Sequence, residues 1–156
     1  MTLYLLLKTL HVIGATVLLG TGAGIAFFML MAHRSRDAKL IAHTAGVVVI
    51  ADTLFTATAV VLQPLTGGGL ALIVGYPLFT GWVAVSLALY VAVGVFWLPV
   101  VWMQLKMRDL ARQAVAADTP LPPAYHRLWR LWFAFGFPAF AAVIAIVWLM
   151  VAKPVF

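Results

Sequence analysis

Cysteine is absent from all 156 residues, which excludes disulfides, thiolate metal sites and cysteine nucleophiles. Charge is nearly as scarce. Ten lysines and arginines with four aspartates make up 9% of the chain, against roughly 25% in a soluble globular domain. So little charge beside 65% hydrophobic residues excludes a water-soluble fold. The net charge of +6 does not imply nucleic acid, because the basic residues flank apolar runs instead of forming a continuous basic, aromatic-interleaved surface.

What the sequence does have is four long apolar runs, at about 3–32, 40–62, 77–105 and 130–152. A helix rising ~1.5 Å per residue needs about 20 residues to cross a hydrocarbon core of ~30 Å. The runs and their connections use nearly every residue, so one transmembrane domain over 1–156 is expected, with no separate soluble domain. The first run is longer than a signal-peptide core and is read as a retained span. The second is expected to end at Gln63-Pro64-Leu65-Thr66-Gly67-Gly68-Gly69, where proline and glycine punctuate the helix. Pro99 should kink the third span, and Thr119-Pro120-Leu121-Pro122-Pro123 makes a stiff connection into the fourth. The expected fold is an all-α integral membrane four-helix bundle.

Orientation follows from lysine and arginine in the short connections. Arg34, Arg36 and Lys39 lie in the first; Lys106, Arg108, Arg112, Arg127 and Arg130 lie in the third; the second has none. The first and third therefore face the cytoplasm and both chain ends face outward, with Lys8 and Lys153 snorkelling to the outer interface. A bacterial inner membrane is the expected location and the lipid bilayer the principal partner.

Polar residues within spans are candidates for function, because lipid offers them no partner. Tyr4, Lys8 and His11 share one side of the first helix, and Gly14 continues that side. A neutral imidazole there suits a metal or haem iron; the plainer alternative is a hydrogen bond to a neighbouring helix. Asp52, Thr56 and Gln63 form a stripe at helical spacing on the second span, with Lys8, His11 and Tyr90 as candidate partners for the carboxyl. A lone carboxylate at mid-membrane costs roughly 2.5 to 3.5 kcal/mol on insertion scales, so the stripe is read as either a bundle-locking network or a polar path for protons or ions. His33, His43 and His126 stand near cytoplasmic helix ends, either solvated or grouped around a transition metal. Gly20, Gly22 and Gly24 form a smooth patch that suits close helix packing, in a homo-oligomer or larger membrane complex, or a flat macrocycle. The six tryptophans are read as interfacial belt anchors.

The opening Leu7-Lys8-Thr9-Leu10-His11-Val12-Ile13, the glycine-bearing span ending in His33, and the closing Lys153-Pro154-Val155-Phe156 resemble the HemJ-type protoporphyrinogen oxidases. The lysine-x-leucine-histidine start also resembles the copper-resistance D membrane proteins. Gln63-Pro64-Leu65-Thr66-Gly67, Trp97-Leu98-Pro99-Val100-Val101-Trp102-Met103-Gln104 and Met150-Val151-Ala152-Lys153-Pro154 resemble domain-of-unknown-function family 2269 over essentially the whole chain. The HemJ resemblance implies a four-helix membrane protein that binds haem b. His11 would be the axial ligand, Lys8 would lie near the propionates, and Gly14, Gly20 and Gly24 would lie against the macrocycle. Ser86, Tyr90 and Trp97 stand in the third span where that family's pattern is basic and histidine-bearing. The resemblance therefore points to haem binding and membrane redox or haem handling more than to the oxidation itself, with Met150 as the nearest soft second ligand. The alternative expectation is a non-enzymatic membrane subunit or a small ion or metal transporter with its path at Asp52.

Overall fold

The structure, a computed structural model, describes residues 2–155, and four helices long and apolar enough to cross a membrane account for most of them. They are α1 (Thr2–Ser35), α2 (Ala38–Val74), α3 (Gly81–Ala116) and α4 (Pro123–Ala152). No strand is present among the described residues. At 34 residues α1 is about 51 Å long, well beyond the hydrocarbon thickness, so its ends project into the interfaces.

Each break in the helical run has a local cause. Arg36 adopts a left-handed conformation after α1, and the Asp37 carboxylate then caps α2 by accepting from the N–H groups of Lys39 (2.8 Å) and Leu40 (3.4 Å). Gly75, with φ of 82°, closes α2, and its N–H and that of Tyr76 both donate to the Ala71 carbonyl. Pro123 begins α4, where its missing N–H costs nothing, and Lys153 ends it in the left-handed region just before Pro154.

The second span departs from its expected end. α2 does not stop at Gln63–Gly69 but runs on to Val74 with Pro64 inside it. Pro64 has no N–H, which strips the Val60 carbonyl of its helical donor; the Tyr90 hydroxyl on α3 donates to that carbonyl instead. The glycines after it are not a loop. They let α1 come close, because a Cβ on Gly67 would sit 2.9 Å from the His11 ring and one on Gly69 would sit 3.1 Å from Leu7. α2 also contains one π-helical turn, Asp52–Thr56, in which the Ala57 N–H donates five residues back to Asp52.

The helices pack in sequence, α1 on α2, α2 on α3 and α3 on α4, with a lighter contact closing α1 to α4. The apolar core gathers at the end that carries the basic connections, where Met29, Ile41, Met107 and Tyr125 are fully enclosed. Toward the other end most buried groups are small or polar, among them Gly14, Gln63, Thr66 and Ser86, with Val83 and Leu149 as the larger apolar ones. Outward faces are apolar throughout, with Phe28, Leu65, Leu72 and Val91 all more than 60% exposed. A surface of that kind is stable only against acyl chains.

Five of the six tryptophans divide into two sets, Trp82 being intermediate. Trp102 and Trp148 are exposed as belt residues would be, whereas Trp129 and Trp132 are buried and Trp97 is half-buried. The belt reading fails for these three because each has a partner inside the bundle: His33 stacks on Trp129 at 4.1 Å, and the indole N–H groups of Trp97 and Trp132 reach polar side chains.

Candidate functional site

Two polar clusters lie between the helices, and they share α2. The deeper one is centred on Asp52, which is 5% exposed at the start of the π-helical turn. Trp97 Nε1 approaches its Oδ1 at 3.5 Å. Gln104 satisfies its surroundings with its amide nitrogen facing Asp52: it then donates to Oδ2 at 3.0 Å and accepts from Trp132 Nε1 at 3.3 Å. Every donor on the carboxyl is therefore uncharged. The Thr56 hydroxyl is buried on the same π-helical turn. None of Lys8, His11 and Tyr90, the partners expected from sequence, reaches the carboxyl. Lys8 is exposed with its ammonium 5.7 Å over the Tyr4 ring, Tyr90 is engaged by Val60, and His11 lies in the second cluster.

That second cluster joins α1 to α2 near the end without basic connections. Gln63 Nε2 donates to the His11 carbonyl at 2.8 Å, crossing at Gly14, where a Cβ would meet the amide nitrogen at 2.5 Å. His11 Nδ1 lies 2.9 Å from Thr66 Oγ1. The Thr66 hydroxyl proton is held by the Leu62 carbonyl at 2.7 Å, so Thr66 acts as acceptor and Nδ1 carries the hydrogen. The lone pair of the ring is then on Nε2, which makes no hydrogen bond among the described residues. A hydrogen-bonded Nδ1–H with a free Nε2 is the arrangement that orients a histidine as a metal ligand.

The remaining sequence candidates separate. Asp52, Thr56 and Gln63 do share the buried face of α2, yet Asp52 and Gln63 serve different clusters. Gly20 and Gly24 lie two to four turns from His11 and line an open groove between α1 and α2 together with His43. They do not pack closely against another helix of this chain: a Cβ on Gly20 or Gly22 would meet nothing within 4 Å, and one on Gly24 would touch only Phe28. Of the three cytoplasmic-end histidines, His33 and His126 come together with ring centroids 5.9 Å apart, while His43 stands apart on the groove. No group of three or more metal-ligating side chains occurs among the described residues.

Gln104, Trp97 and Trp132 are the site residues that sequence reasoning passed over. A signal existed for two of them, since Trp97 and Gln104 are seven residues apart and so share a face of α3.

A family model described as predicted integral membrane protein (DUF2269) matches residues 5–154. No curated protein and no solved structure matches the chain.

Proposed function

This chain belongs to the DUF2269 family of predicted integral membrane proteins, and we propose that in the bilayer it holds one tetrapyrrole, haem b, through Nε2 of His11. The observation that carries the reading is the Thr66 contact, which leaves Nε2 as a free, oriented donor. The donor set also favours a macrocycle over a bare ion. A metal ion needs three or four protein ligands, whereas haem brings four nitrogens of its own and needs one. Lys8, exposed one turn outward on α1, is the cation for the propionates, and Gly67 gives the imidazole its room. Gly20 and Gly24 lie too far along α1 to meet a haem on His11. Haem bound here would supply one-electron chemistry at iron. The residues of the chain would hold and orient it and keep bulk water from the ligand. We assign the protein to a bacterial inner membrane, with its basic connections in the cytoplasm.

Titration of purified protein with hemin tests this reading. The wild type should develop a Soret band, His11→Ala should lose it, and Thr66→Val should weaken binding about 10- to 100-fold by freeing the ring to rotate. Equal binding by wild type and His11→Ala would remove the proposal.

A second reading rests on Asp52, which is buried among uncharged partners at the start of a π-helical turn, a feature frequent at functional sites. In it the carboxyl carries protons, and Asp52→Asn should abolish proton flux in proteoliposomes; flux unchanged by that substitution would refute it.

A further inference from the structure

The groove between α1 and the first half of α2 has a volume of about 540 Å³ and belongs to neither polar cluster. Gly20, Gly24 and Phe28 form its α1 side, and His43, Val47 and Phe55 its α2 side. It faces outward, since Phe28, Val47 and Phe55 are each more than half exposed. Its depth comes from the missing side chains on α1, where a Cβ at Gly20 would meet no other atom within 4 Å. Around the far side of His43 and Val47 it adjoins a smaller recess of about 370 Å³, which ends at Arg112 of α3.

Arg112, exposed on α3, reaches across to α2. Its Nη2 passes 3.1 Å from where Gly46 would carry a Cβ, so a larger residue at 46 would push the guanidinium away. No carboxylate among the described residues pairs with it. Of the four acids in the chain, Asp37 caps α2, Asp52 is buried among Gln104 and Trp97, and Asp109 pairs with Arg108 at 2.8 Å. Asp118 stands beyond the end of α3. The apolar trough thus runs from mid-membrane to His43 at the basic end of the bundle, and the second recess, which shares His43 and Val47 with it, places the Arg112 cation beside that mouth.

We propose that this trough is a binding site for an anionic glycerophospholipid of the cytoplasmic leaflet. An acyl chain lies along Gly20, Gly24 and Phe55, and the phosphate meets Arg112 and His43. The unpaired cation at the mouth calls for an anionic occupant, and a helix from a second copy brings another Arg112 to the same place, its one exposed acid without an ion pair or cap being Asp118 beyond the end of α3. Basic recesses between transmembrane helices on the cytoplasmic side are where anionic head groups bind. The site is independent of the tetrapyrrole reading, as it shares no residue with the His11 cluster.

Native mass spectrometry of the purified protein from mixed micelles, with equal amounts of phosphatidylglycerol and phosphatidylcholine of identical chains, tests the proposal. Wild type should retain phosphatidylglycerol about fivefold over phosphatidylcholine, the advantage expected of one cation near the head group. Arg112→Gln should erase that preference. Gly24→Leu, whose added bulk enters the groove with only an ordinary contact to the Phe28 ring at 3.9 Å from its Cβ, should reduce retention of both lipids without lowering the melting temperature. Equal retention of the two lipids by wild type, or a preference that survives Arg112→Gln, would overturn the proposal. So would efficient disulfide formation between chains carrying Gly24→Cys, the protein's sole cysteine in that variant, because it would give the groove to a second copy.

Discussion

The carbonyl of Val60 belongs to α2, yet its hydrogen bond comes from Tyr90 on another helix because Pro64 has no N–H to give it. The two residues should therefore be coupled. Tyr90→Phe leaves a polar group orphaned in hydrocarbon and should destabilise the protein in detergent. In a Pro64→Ala background, which restores the N–H, the same change should cost little. The coupling expected from the double-mutant cycle is about 0.5 to 1.7 kcal/mol, in the range found for interhelical hydrogen bonds in membranes. Additive effects of the two substitutions would show that the hydroxyl does something else. His11 is the second residue whose surroundings decide its chemistry. Its half-buried position on the face of α1 was readable from spacing, but its tautomer was not, since that depends on Thr66, 55 residues away, and on which carbonyl holds the Thr66 proton.

At the scale of the helix, the contact between α1 and α2 is built from glycines that look alike in the sequence and differ in the fold. Gly14 and Gly67 sit where α1 and α2 nearly touch; Gly20 and Gly22 face open space. Gly14→Ala should displace the Gln63 amide and cost about 1 to 3 kcal/mol, while Gly22→Ala should stay within about 0.5 kcal/mol of wild type. Thermal melts in one detergent would measure both, and similar losses at the two positions would contradict the assigned contact. The same comparison shows where sequence reasoning stopped. Four apolar runs, the stiff proline connection and the inward polar stripe were legible because hydrophobic length and helical spacing are local properties. The continuation of α2 through Pro64 was not, since the donor that rescues Val60 comes from α3. The π-helical turn left no local trace either, and it is this turn that begins at Asp52 and sets the register between the two polar clusters.

For the whole molecule, an apolar shell and an asymmetric interior act together. The end with the basic connections has a close-packed core around Met29, Met107, Tyr125 and Trp132, which fixes the four helices relative to one another. The opposite end is joined by hydrogen bonds among His11, Gln63, Thr66, Tyr90 and backbone carbonyls. A close-packed base thus supports a half whose helices are joined through polar groups. The account stands on haem at His11. Its most direct test is the haem content of protein purified from cells without added hemin, measured as pyridine haemochrome for wild type, His11→Ala and His43→Ala side by side. The prediction is about one haem b per chain in wild type and His43→Ala and almost none in His11→Ala. A wild type without haem, or a His11→Ala protein that keeps it, would contradict the account.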